Sequence, residues 1–230
     1  MPEKLTPCVL HYELIHGLID RGVCPTNAEL AALLDTTATE IEQLLRSLAD
    51  MHGVVLHPNR CEPWVVHPFS VTPTLNWVAG PRGGWWSPCV WCAFGVAVLA
   101  GGEIRIHTRF GAESEAVEIA VTDGEPISHK GAVVHFAIPP ARAWGNVHEH
   151  CSLVLPFQSE AHVREWCERH RRPFVEAAPL ETVGRLARLW YGSHDQRNWH
   201  KWTVAEAREI FREARLTSDF WNLGGNTGRY

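Results

Sequence analysis

Cys89-Val90-Trp91-Cys92 places two sulfurs within one short motif, between Pro88 and an Ala-Phe-Gly run. Three chemistries use such a pair. A structural zinc site takes four ligands, so one CxxC is half of it and a second CxxC or a His pair must complete it. The chain has no second CxxC, but Cys151 with His148 or His150 would supply the missing ligands. A thioredoxin-like redox pair sits at a helix start after a strand, where the helix end lowers the thiol pKa. Pro88 and a helix beginning near it fit that requirement. The elements downstream run strands first and helices after, which is not a βαβ order. The third reading is two packed thiols acting as small hydrophobes.

The elements that would position these sulfurs can be read from periodicity. Residues 8–21 carry apolar side chains at helical spacing, and Gly22 follows as a C-cap. Thr26 with Glu29 forms a capping box for a short helix, and a helix starting at Thr37 or Thr39 puts Ile41, Leu44, Leu45 and Leu48 on one face. Two β-rich runs around a Pro-Asn turn come next, over residues 54–69. Three helices and a hairpin match a winged-helix pattern. The third helix, however, sets Glu40, Glu42 and Asp50 against Arg46 alone, and phosphate contacts need Lys and Arg. A structural or lid role is therefore expected, with no nucleic-acid partner. Further on, CVWCAFGVAVLAGG reads as a buried helix from Pro88. EIRIHTRF, AVEIAVTDGEP and AVVHFAI read as strands, and CSLVLPF as a fourth. Ser159, Leu180 and Thr203 then begin three helices, and the tail anchors through Phe220 and Trp221 before fraying. The expected architecture is α+β. A winged-helix-like domain (1–70) precedes a mixed or antiparallel sheet domain flanked by helices (71–230), whose helical C-terminal extension covers about 180–230.

Composition bounds the function. The chain has 230 residues, is 45% hydrophobic and carries a net charge of −5, so it can bury a core and has no basic surplus for nucleic acid. No apolar run reaches the ~20 residues of a membrane span, and the N-terminus lacks a secretory signal. Seven cysteines in a chain this long do not make a disulfide scaffold, which points to reduced thiols and the cytoplasm. Eleven tryptophans against two methionines suggest an aromatic wall to a core or pocket.

Residues 85–170 resemble the alkylmercury lyases. Trp91-Cys92-Ala93-Phe94-Gly95 matches the segment that supplies that family's first catalytic cysteine, and HCSLVLPFQSEAHVREWCERH (150–170) matches the segment of the second. The resemblance puts Cys92 and Cys151 on the two catalytic positions, with Phe157, Ser159, Trp166 and His170 keeping the spacing of the helix that follows. Gly95 stands where the family has the aspartate that handles the proton, so another donor is needed. Cys89 is one candidate. Glu149 is the preferred one, because strand alternation would put it on the face of Cys151 and turn His148 and His150 away. Mercury(II) is soft and thiolate is its matching ligand. Two thiolates on one organomercury atom make the carbon basic enough to take a proton. The implied activity is cleavage of a carbon–mercury bond, with a small-molecule substrate, small thiols to carry mercury away and no resident cofactor. A soft metal ion, mercury or copper, held by Cys92 and Cys151 is the alternative. So is a cysteine-dependent lyase or transferase reaction on another substrate, or a regulator with a cysteine sensor pocket. Cys167 reads as core, Cys61 as within reach of a pocket, and the 194–202 tract as a capped loop.

Overall fold

A computed structural model describes residues 5–225, 228 and 230. The three N-terminal helices are α1 (Pro7–Arg21), α2 (Asn27–Leu33) and α3 (Ala38–Asp50). Each starts where its cap dictates. Thr6 accepts from the Val9 N–H with Pro7 in the first turn, while Thr26–Glu29 and Thr37–Glu40 both close capping boxes. Gly22 ends α1 in the left-handed region at φ 70°, its N–H bonded to Leu18 O.

Strands β1 (Val54–Leu56), β2 (Pro63–Val66) and β3 (Phe69–Ser70) follow, then β4 (Asn76–Gly80) and β5 (Gly83–Ser87). Helix α4 (Val90–Ala100) leads to β6 (Glu103–Arg109), β7 (Ala116–Thr122) and the short β8 (Glu125–Pro126). These eight strands form one antiparallel sheet in the order β1-β2-β3-β5-β4-β6-β7-β8, continuous across residue 70. A second sheet has β9 (Val133–Phe136) at its centre. After β9 come the short helices α5 (Pro140–Ala143) and α6 (Val147–Ser152), then β10 (Val154–Phe157), α7 (Glu160–Arg169) and β11 (Glu176–Pro179). Its order is β10-β9-β11, again antiparallel. Helices α8 (Leu180–Tyr191) and α9 (Val204–Glu213) complete the chain. The α+β class with antiparallel sheets is as expected, and no helix among the described residues is long and apolar enough to cross a membrane.

The Trp85-Trp86 pair lies within β5, paired with β4 at Val78 and Trp77 across a tight hairpin bracketed by Gly80 and Gly83. One element differs from the reading of the sequence. Cys151 was expected on a strand and instead lies in α6. Asn146 caps that helix by accepting from the Glu149 N–H, and the strand begins only at Val154. The apolar run after Cys151 hid the polar turn before it. The tail also does more than anchor and fray. Residues 226, 227 and 229 lie outside the described ones, but Tyr230 is buried and exchanges both backbone hydrogen bonds with Trp202, each 2.8 Å.

Helix α4 sits at the centre. Nine of its eleven residues are buried, as a helix apolar on all sides must be. One side rests on β4–β7 and another on α8. The contact with α8 needs glycine at position 95 of α4, where a Cβ would lie 2.4 Å from the Tyr191 ring; Gly184 of α8 instead makes room for the turn after β7, where a Cβ would lie 2.9 Å from Gly124 O. Phe94 is fully buried in this layer. Phe94→Ala should cost about 3–5 kcal/mol of folding stability, read as a lowered urea midpoint at unchanged slope.

Candidate active site

The first turn of α4 is built on sulfur. Cys89 is its N-cap, and its Sγ accepts the Cys92 N–H at 3.3 Å, the place that Ser or Asp more often fills. Cys92 therefore stands in the first turn, where orphan N–H groups and the helix dipole favour an anion. Helix α6 brings Cys151 to the same point from the other side. The sulfurs of Cys89, Cys92 and Cys151 all lie within 4.8 Å of one another, and all three residues are buried.

Three thiols this close, in a site cut off from water, do not ionise alike. Burial opposes a charge on Cys92. Hydrogen bonds from Cys151, Cys89 and His67 outweigh it and hold the Cys92 thiol well below its ordinary pKa. Burial, together with the neighbouring sulfur charge, pushes Cys89 up. Hydrogen bonding to Cys89 and Cys92, with burial behind it, keeps Cys151 protonated as well. The result is one thiolate and two thiols that donate to it.

Other elements converge on Cys92. The Tyr191 hydroxyl from α8 lies 3.4 Å from its Sγ, and His67 Nδ1, next to β2, lies 3.9 Å away. Tyr191 fills the space a side chain at position 95 would need, with Pro68 Cβ 2.9 Å from that same point. Cys92 and Cys151 both line a narrow cavity of about 40 Å³, room for roughly three water-sized molecules. Its walls include Trp91, Trp144, Trp190 and Tyr191, and it is closed by Phe211 and Tyr230 from the C-terminal segment. Behind that wall lies a buried polar cluster. Lys201 Nζ sits 4.5 Å over the Trp144 ring, His11 stacks on Trp199 at 3.7 Å, and His194 packs edge-on against Tyr191 at 5.0 Å. Burial lowers the Lys201 amine to about 7, although the Cys92 charge pulls the other way. Burial, with Lys201 and His67 adding to it, lowers His11 to about 3.

The structure brings together Cys92, Cys151 and Cys89. Glu149 it does not: on α6 that side chain is exposed and absent from the cavity wall, where strand alternation had placed it beside Cys151. His148 is exposed as well. His150, expected to turn away, is buried and lines the cavity, with burial lowering it to about 4. Cys61 is half-buried and bonds Glu42 O instead of reaching the cavity, and Cys167 is core. No Asp or Glu side chain is among the described residues lining the cavity. Reading the sequence missed His67, Tyr191, Lys201 and Tyr230. Only the crowding of His, Lys and Trp in residues 194–202 hinted at them.

An antiparallel α+β scaffold thus carries three clustered, buried cysteine sulfurs, two of them lining an aromatic-walled cavity. The family model for MerB, alkylmercury lyase, matches residues 69–192, more than half of the chain. The chain belongs to the alkylmercury lyase family. Among solved structures, the mercury-bound form of MerB2 superposes with a TM-score of 0.58 at 17% identity, over 82% of this chain and 96% of that one. No curated protein matches the chain by sequence. The cavity's closing residues Phe211 and Tyr230 lie beyond the matched segment.

Two outcomes follow from this geometry. A lowered thiol pKa means ionisation where an ordinary cysteine, near 8.5, is still protonated. The folded protein should therefore show one extra thiolate absorbance near pH 7, and Cys92→Ser should remove it. Gly95→Asp should destabilise the fold by about 1–3 kcal/mol through overpacking against Tyr191, and Tyr191→Ala in the same chain should restore most of it.

Proposed function

We propose that the protein is a carbon–mercury lyase that releases hydrocarbon from a small organomercurial by thiol-based protonolysis. One observation carries this reading: two cysteines from separate elements line a single narrow cavity with their sulfurs within 4.8 Å, in surroundings that lower the pKa of one and raise that of the other. The Cys92 thiolate attacks the mercury of R–Hg–X and displaces X. Cys151 then adds to the same mercury. Its thiol proton passes to the leaving carbon, and R–H departs with mercury held by both sulfurs. The step balances without a further acid, because the proton that reaches carbon is the one Cys151 gives up when it binds. The neighbouring sulfur charge keeps that proton on Cys151 until a metal arrives. This differs from a carboxylate relay, for which Gly95 offers no group. Tyr191, hydrogen-bonded to Cys92, orients the attacking sulfur. Small thiols from solution then draw the mercury out. The cavity's size restricts R to a short alkyl group.

In this reading residues 1–70 act as a structural unit without nucleic-acid contact. Support comes from α1, whose Leu18 carbonyl accepts from Trp85 Nε1 at 2.6 Å and whose His11 stacks beneath the loop that carries Lys201. A second reading, a soft-metal binding protein without turnover, is favoured by the missing carboxylate. The test separates them. With methylmercury and excess thiol, the wild-type protein should evolve methane. Cys92→Ser and Cys151→Ser should each lower the rate by a factor on the order of 10³ or more, while Glu149→Gln leaves it within about twofold. Stoichiometric mercury uptake with no hydrocarbon would replace the lyase by the binding protein.

A further inference from the structure

We propose that Cys89 is a third metal-binding sulfur, so that the cluster forms a three-sulfur site whose ligands include inorganic trivalent arsenic as well as mercuric ion. The proposal rests on the reading that the cavity admits thiophilic species, and it adds a coordination number and a second class of ligand. Two sulfurs satisfy a linear mercuric ion, whereas arsenic(III) takes three.

The geometry supplies the third. Bonds of about 2.3 Å from one centre to three sulfurs hold those sulfurs about 3.3 Å apart when pyramidal and about 4.0 Å apart when planar. The three sulfurs here lie within 4.8 Å, so a bound ion need draw each pair together by no more than about 1.5 Å. Cys89 does not line the cavity, which is bounded by Cys92 and Cys151. An ion therefore meets those two first and is drawn behind them to reach the third. Behind the sulfurs, Ser87 Oγ donates to the Cys89 carbonyl at 3.2 Å and fixes the backbone that carries the third sulfur. No Asp or Glu side chain among the described residues lines the cavity to favour a hard ion. The arsenic step balances as As(OH)₃ plus the Cys92 thiolate, two thiols and one proton from solvent giving As(S)₃ plus three waters, with no change of oxidation state. For mercury, the two-sulfur product gains the Cys89 sulfur as its proton leaves through the cavity to water.

The test uses the reduced, full-length protein with arsenite alone, followed by native mass spectrometry and by titration of tryptophan fluorescence. The expected adduct carries one arsenic and has lost three waters' worth of oxygen and protons. Cys89→Ser is the informative variant, because serine is a strong N-cap and keeps the Cys92 N–H satisfied, so the helix start survives. It should weaken arsenite binding at least about 100-fold, beyond the 10–100-fold loss of an outer-shell partner. It should still bind mercuric ion, now with a two-sulfur near-ultraviolet band in place of the three-sulfur one. Cys167→Ser should change nothing. Arsenite affinity unaltered in Cys89→Ser, or mercuric ion bound through two sulfurs in the wild-type protein, overturns the proposal. Because neither readout involves carbon–mercury cleavage, absence of methane release would defeat the lyase reading and leave this one standing.

Discussion

One buried negative charge organises the molecule: the Cys92 thiolate in the first turn of α4. A charge in a dry interior is tolerable only if hydrogen bonds and dipoles replace the lost water. Every element near it answers that need. The helix offers its N-terminus, Cys89 and Cys151 donate their protons, Tyr191 and His67 approach from two further elements, and Lys201 stands behind Trp144. The apolar character of α4 follows from the same constraint. Its first turn must sit deep, so the rest of the helix passes through the core and can carry few polar side chains.

The second constraint is the close approach of α4 and α8. Without a Cβ at position 95, the Tyr191 ring lies flat against the helix and its hydroxyl reaches the sulfur. A side chain at position 95 and the Tyr191 ring in this place exclude each other sterically. Tyr191 in turn packs against Trp91 at 5.8 Å, which joins the aromatic wall of the cavity to the thiolate it serves.

What could be read from the sequence was what local chemistry decides. Thr26–Glu29 and Thr203–Glu206 each mark a helix start because the cap and its partner are three residues apart, while the start left open between Thr37 and Thr39 is settled by a third such box, Thr37–Glu40. The buried helix after Pro88 was legible from its unbroken apolar run, and Cys92 and Cys151, which the structure brings together, were singled out by their flanking residues. Failures came where distant contacts decide. Cys151 was set on a strand because the apolar run after it outweighed Asn146, a cap whose effect needs only one short turn. That single error carried Glu149 to the wrong face, since helix and strand periods point adjacent residues differently. Tyr191 was not singled out at all, for nothing within its own helix says that a glycine 96 positions earlier leaves room for its ring.

The same electrostatics bear on what enters the cavity. His11, His150 and His194 are all driven toward the neutral form by burial, and burial lowers Lys201 to about 7 against the pull of Cys92, so little positive charge besides that amine offsets the thiolate. Several of these groups, including both His11 ring nitrogens and Trp91 Nε1, find no hydrogen-bond partner among the described residues. A site with one mobile negative charge, two transferable protons and neutral walls gains nothing from an anionic ligand. It gains most from a soft cation that takes over the charge as the protons leave, since the ion then replaces thiol donors as the partner of the buried sulfur. Metal entry and proton loss are in this way one event, and the pocket's aromatic lining serves to keep water from competing for either.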